Sequence, residues 1–265
     1  MTEEAAPYVA RVLHNPGTRV LALVNDVPLY DDAATGFSAP AIHGCPWLVP
    51  GENQVVLEVD EAPKDEGMPN NLPMFELSFF LHKLKIEEEV NVFHVRYPNF
   101  AETLPSERRK FPIVSDVMRF TPEGYIPDPI WKDAPSMNIP AAGTPELLQP
   151  LFELHRAYER RDVDAFLDLT STKISDMVRY TGPSPDASRD ELAKETAEFF
   201  AMPWDLRPFD PNKLRFRSCA QGRVAYVTDD ERGPALFAQH KTEPRTTWPV
   251  KPYLFFEGTR WRIFR

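Results

Sequence analysis

Glycine is scarce in this sequence, with 11 among 265 residues against 28 prolines. No P-loop, G-x-G-x-x-G or G-x-S-x-G motif occurs. Loops that cradle a pyrophosphate, or that lift a nucleophilic serine onto a sharp turn, need glycine at fixed offsets, so both chemistries are excluded as motifs. Cysteine is scarcer still. Cys45 and Cys219 fall in different halves, which argues against a disulfide framework and fits a reducing compartment. The six histidines are scattered without H-x-x-x-H, H-E-x-x-H or C-x-x-C spacing, so no zinc site and no cofactor is expected. No apolar run approaches the roughly 18 residues that cross a bilayer. The opening MTEEAAPYV is acidic where a secretion signal is basic and then apolar, so the chain is expected to start near Met1, to avoid membranes and to be cytoplasmic.

Positive charge is missing from one half only. Residues 1–134 hold 11 Lys and Arg against 21 Asp and Glu, while the remainder holds 19 of each, so the first half carries the whole net charge of -10. Such a surface repels phosphate backbones and excludes nucleic acid as its partner. It suits a basic protein partner, and it equally suits a protein that is merely kept soluble.

The first half reads as strands: Tyr8 to His14, Arg19 to Asn25, Asn53 to Val59, Met74 to His82, Val90 to Tyr97 and Pro112 to Phe120. In NQVVLEV, Val55, Leu57 and Val59 share one face at the period of a half-buried strand. No helix is evident, so residues 1–120 are expected to form an acidic all-β sandwich. The segment VNDVPLY to CPWLVPGENQVVLEV places an apolar anchor at Trp47-Leu48 before a Pro50-Gly51-Glu52-Asn53 turn. Over residues 19–60 it resembles the jelly-roll, galactose-binding-like sandwiches. That resemblance implies a fold and transfers no ligand residue, although it raises carbohydrate binding as a function.

Residues 121–143 carry five prolines, at 122, 127, 129, 135 and 140, with a sixth at 145. They are expected to form an extended linker, docked through Tyr125, Ile126, Ile130 and Trp131. Beyond it the period changes. Thr144 caps a helix that starts at Pro145, with Leu147, Leu148, Leu151, Leu154, His155 and Tyr158 in one stripe. A second helix runs from about Val163 through Val178. A third is marked by the Ser188-x-x-Glu191 capping-box spacing. Five strands follow, within Lys213–Cys219, Arg223–Thr228, Pro234–His240, Pro252–Glu257 and Arg260–Arg265. Their short connections predict antiparallel neighbours. The predicted whole is two domains: the sandwich, and over residues 144–265 an α+β cone with helices packed on a curved antiparallel sheet.

LHRAYERRDVDAFLDL and the terminal FFEGTRWRIFR resemble the nuclear-transport-factor-like, cystatin-like superfamily, which includes ketosteroid isomerases, polyketide cyclases and many non-catalytic binding modules. The resemblance implies a cone interior in which catalytic members hold a carboxylate base and a phenol or second acid. Residues that could fill those roles are Asp168 and Asp164 on the second helix, His155 and Tyr158 on the first, and Tyr226, His240 and Tyr253 on strands. None matches a known catalytic motif, and each has a structural reading as cap, core-edge or rim residue.

Two readings of function stand side by side. In the first the chain is a non-catalytic protein binder, for instance a toxin-neutralising bacterial immunity protein. Its contacts are then sought at Tyr125 and Trp131 of the linker, at the acidic run Glu87, Glu88 and Glu89, and at an arginine-bearing sheet face. Arg215 and Arg217 alternate with core residues on one strand, and Arg260 and Arg262 do so on the last, so a homodimer through this sheet is also expected. In the second reading the cone pocket serves a small-molecule isomerase, cyclase, hydrolase or ligand binder. An interior filled by Phe166, Phe199, Phe200 and Trp248 speaks against the second, and an open cavity with a buried carboxylate beside a tyrosine speaks for it.

Overall fold

A computed structural model describes residues 8–14, 17–33, 41–43, 47–61, 75–82, 89–97, 99–181, 185–244 and 246–264. The chain mixes helices with several antiparallel sheets and contains no barrel among the described residues. It divides into two compact units, Met1–Pro129 and Ile130–Arg265.

In the first unit the strands are β1 (Tyr8–His14), β2 (Thr18–Val24), β3 (Val27–Ala33), β4 (Ala41–His43), β5 (Asn53–Glu61), β6 (Phe75–His82), β7 (Glu89–Arg96), β8 (Ile113–Val114) and β9 (Met118–Phe120). They form two sheets, ordered β4-β1-β6-β7 and β3-β2-β5-β8, with β9 also on β5. The link between β1 and β2 therefore carries the chain from one sheet to the other. Phe93 of β7 and Phe120 of β9 meet across the sheets at 5.3 Å.

Three details depart from the sequence reading. β3 is a strand despite Pro28, Asp31 and Asp32, because Asn25 and Asp26 both adopt positive φ (51° and 65°) and close a two-residue hairpin. The run Pro112–Phe120 is two short strands instead of one. Ser115 interrupts it, giving its amide to the Leu57 carbonyl (2.9 Å) and accepting from the Leu57 amide through Oγ (3.0 Å). A one-turn helix, α1 (Asn99–Glu102), also lies in this half.

The Pro50-Gly51 turn has a polar pin. Gly51 sits at φ 89°, the conformation a Pro-Gly turn requires. Asn53, wholly buried, accepts from the Val49 amide at 2.9 Å and donates to the carbonyls of Val49 and Gly51, each also at 2.9 Å. Asn25 joins it, donating to Asn53 Oδ1 (2.8 Å) and to the Trp47 carbonyl (2.7 Å). One buried amide thus ties the β2–β3 hairpin to the entry of β5.

The second unit holds α2 (Pro145–Arg160), α3 (Val163–Leu169), α4 (Ser171–Thr181), α5 (Pro185–Ala201), β10 (Trp204–Leu206), β11 (Leu214–Cys219), β12 (Val224–Asp229), β13 (Leu236–His240), β14 (Thr247–Val250), β15 (Tyr253–Glu257) and β16 (Arg260–Ile263). Thr144 caps α2 through Oγ1, which accepts from the Leu147 amide, and Pro145 stands in the first turn. The expected second helix is two, because the chain breaks at Thr170, whose hydroxyl donates back to the Phe166 carbonyl (2.8 Å). α5 begins at Pro185, so Ser188 lies inside the helix and is not its cap.

The expected run of five neighbouring strands is in fact split between two sheets, β11-β12-β15-β16 and β10-β13-β14. After the turn at Asp229–Gly233 the returning chain meets β12 through a single bridge, Thr228 to Pro234, and β13 pairs instead with β10 and β14, neither of which the sequence reading found. At the end of β13 the His240 amide donates to the Thr246 carbonyl (2.9 Å), and alternation from that bond points the backbone nitrogens of Thr247 and Pro249 on β14 away from β13, to the sheet edge. A proline there removes one edge donor, a device that discourages unwanted strand pairing.

The core joins α2, α5 and the inner faces of both sheets through Leu147, Leu151, Leu154, Phe200, Phe216, Val227, Leu236, Leu254 and Ile263. The end of the linker belongs to this unit. Ala141 accepts from the Phe216 amide (2.9 Å), Met137 donates to the Gly222 carbonyl (2.9 Å), Ser136 Oγ bonds Gln221 O (2.6 Å), and Ile139 is buried. Two glycines permit the approach. A Cβ on Gly143 would lie 2.5 Å from the Phe216 ring, and one on Gly222 would lie 2.6 Å from Met137 O.

Candidate functional site: an aromatic pocket at the end of α2

The last turn of α2 presents Tyr158 and Glu159. Arg161 follows in the left-handed conformation (φ 55°) and ends the helix, after which Asp162 caps α3 through the Ala165 amide (3.0 Å). α5 supplies Phe199 and Phe200, and the sheet β10-β13-β14 supplies Trp204, Leu206, Ala238 and Trp248. Together these line a pocket of about 130 Å³.

Its rings brace one another. Tyr158 meets Trp248 at 4.4 Å and 73°, Phe199 meets Trp248 at 4.3 Å, and Phe199 stacks on Trp204 at 4.8 Å. Trp204 is fixed further by its indole N–H, which donates to the Phe199 carbonyl at 2.8 Å. Tyr158 is 9% exposed, and burial pushes its phenol well above the usual range. Its hydroxyl makes no hydrogen bond among the described residues and keeps contact with solvent.

The other sequence candidates do not converge on this pocket. Asp168 is 75% exposed and pairs with Arg189 at 3.1 Å, and Asp164 is exposed. His155 is buried beside the pocket as a clip. Its Nδ1 lies 3.6 Å from Glu159 Oε2, its Nε2 lies 3.4 Å from the Arg207 carbonyl, and its ring packs on Phe209. Tyr226 and Tyr253 pack against each other at 4.9 Å with their planes tilted by 38°. Because Ala225 and Val227 face the helical core, Tyr226 points to the other side of the sheet and cannot share a pocket with Tyr158. His240 packs edge-on to Trp204 behind the pocket wall.

Among the suggested contact residues, Tyr125 is 48% exposed, in a surface hollow with Pro50, Gly51, Pro122 and Gly124, whereas Trp131 is buried and presents no surface. Glu87 and Glu88 lie outside the described residues, and Glu89 opens β7 opposite His82. Arg215 and Arg217 are exposed on β11, but Arg260 and Arg262 lie on β16, three strand spacings or roughly 14 Å away. The strands between them carry Tyr226 and Phe255 on that face, both buried, so the arginines form two separate edges and not one basic face.

Sequence reasoning overlooked two residues. Trp204 follows Met202-Pro203, which reads as a loop. Asp176, fully buried in α4, occupies an interior helical position where aspartate is ordinarily solvated, and it does not line the aromatic pocket. Among the described residues no group of three His, Cys, Asp or Glu is placed to hold a metal ion, and no helix is long and apolar enough to cross a membrane. No protein-family model, curated protein or solved structure matches this chain.

Proposed function

We propose that the chain is a non-catalytic binding protein for a basic protein partner, recognised through the acidic first unit. One observation carries this reading: the residues that could act as acid and base are dispersed, with Asp168 in a surface ion pair and Tyr226 on the far side of its sheet from Tyr158. The aromatic pocket, at about 130 Å³, is well below the usual 300–1,000 Å³ of a metabolite site, and Glu159 is the only carboxylate lining it. General acid–base catalysis needs two groups within hydrogen-bond reach of one substrate, and neither Asp168 nor Tyr226 is brought to Tyr158 as such a partner.

Under the same proposal the first unit is a jelly-roll-like sandwich, the second a cone of the nuclear-transport-factor-like kind, and the protein works in the cytoplasm. Its sharpest form is a toxin-neutralising role, in which an acidic surface meets a basic toxin and exposed carboxylates such as Asp32, Glu61 and Glu107 steer the encounter. Affinity capture from native lysate at low salt, repeated at about 0.5 M salt, tests it. A stoichiometric basic partner released by salt supports the reading. Recovery of the chain alone, or of an acidic partner indifferent to salt, sinks it.

A further inference from the structure

We propose that the aromatic pocket at the end of α2 binds a quaternary or methylated ammonium head group. Three features independent of the acidic first unit agree on the sign of charge. Tyr158, Phe199, Trp204 and Trp248 supply four aromatic rings, two of them indoles, and ring faces are negative. The planes differ by 73° between Tyr158 and Trp248 and by 71° between Tyr158 and Phe199, so the Tyr158 ring stands as a wall across the other two, while Phe199 and Trp204 back each other in a stack at 27°. The mouth lies at the C-terminus of a 16-residue helix, the negative end of its dipole, and Glu159 adds a carboxylate there. Arg161 is the one opposing charge among the lining residues, and it is exposed, where solvent screens it.

Size selects within the class of cations. About 130 Å³ is comparable to a cavity that accepts one benzene, so a compact, nearly spherical group fits. A primary ammonium would need three hydrogen-bond acceptors in exchange for its water, and the lining side chains offer two acceptor groups, the Tyr158 hydroxyl and the exposed Glu159 carboxylate at the mouth. A methylated nitrogen demands none, since its charge spreads over methyl groups that contact ring faces, while the unpartnered phenol oxygen can meet a polarised C–H.

The test is a tryptophan-fluorescence titration of the full chain with choline at constant ionic strength, alongside 3,3-dimethylbutan-1-ol, its uncharged carbon analogue. Saturable binding of choline in the millimolar range, with the analogue at least about tenfold weaker, is expected. Trp248→Leu should weaken choline about tenfold. Glu159→Gln, which removes the charge at an exposed side chain, should weaken it about two- to threefold at low salt. A trimethyl-lysine peptide is then added as competitor. Competition assigns the head group to a protein chain, and its absence beside intact choline binding assigns a free small molecule. Equal affinity for choline and its analogue, no saturable signal up to about 100 mM, or full binding by folded Trp248→Leu would overturn the proposal. Because the head-group site lies in the second unit, any of these results leaves the capture experiment above unaffected.

Discussion

The two units solve the same packing problem with opposite materials. Among its described residues the first has two sheets and two single helical turns, Asn99–Glu102 and Ser106–Arg108, and its most tightly specified point is polar: buried Asn53, its turn and its neighbour Asn25. The second joins four helices to two sheets, and its most tightly specified point is a set of interlocking rings around Tyr158 and Phe200. A polar pin fixes where chain segments go and adds little burial. An aromatic cluster buries much area and fixes direction only by shape. The contrast teaches that the first unit should be sensitive to the loss of one hydrogen-bonding group, and the second to the loss of volume.

Substitutions on each side sharpen or break that contrast. The largest effect is expected from Phe200→Ala, which leaves a cavity among Tyr158, Phe166 and Phe199 and should cost about 4 kcal/mol in urea unfolding. Asn53→Ala leaves the Val49 amide and two carbonyls without their partner and should cost about 3 kcal/mol. A loss below about 1 kcal/mol would show that the polar pin is decoration. Gly143→Ala combines a positive φ of 74° with a 2.5 Å approach to the Phe216 ring, and about 2 kcal/mol of destabilisation should follow.

The next effect depends on pH. The Tyr158 phenol is raised in the folded state, so its contribution is complete below the unfolded value near 10 and is lost as pH climbs past it. Wild type should therefore lose stability above about pH 10 more steeply than Tyr158→Phe, as read from urea midpoints; parallel curves would contradict the burial of this hydroxyl. The smallest effect belongs to Asp168→Asn. Its bridge to Arg189 is solvent-exposed, so stability should change by less than about 0.5 kcal/mol, and a larger loss would return Asp168 to the list of functional candidates.

The local features were legible in the sequence wherever one segment contained its own explanation. Thr144-Pro145 announces α2, Pro50-Gly51 announces its turn, and the alternation in NQVVLEV announces β5. What failed to show was of two kinds. Some segments carry a composition that their surroundings override: Val27–Ala33, with Pro28 and two aspartates, is not among the expected strands, yet it pairs with β2 through a hairpin turn, with the Arg19–Asp31 ion pair (3.7 Å) between the two strands. Other features exist only between distant positions. The pocket joins residues 158, 199, 204 and 248, and no local pattern says that these meet. The same limit explains the arginines, since alternation correctly places each one outward but is silent on which strands are neighbours.

The bond from the Phe216 amide to Ala141, and the seating of Ile139 in the core, make the end of the proline-rich segment a working part of the second unit. A fragment cut at Thr144 would uncover the edge of β11 and unseat an interior side chain. One beginning at Ile130 would keep both. Proteolysis should therefore spare the peptide bonds around Met137–Gly143 despite their lack of helix or strand, and insertions that lengthen the chain there would act as core mutations, without the tolerance expected of a spacer.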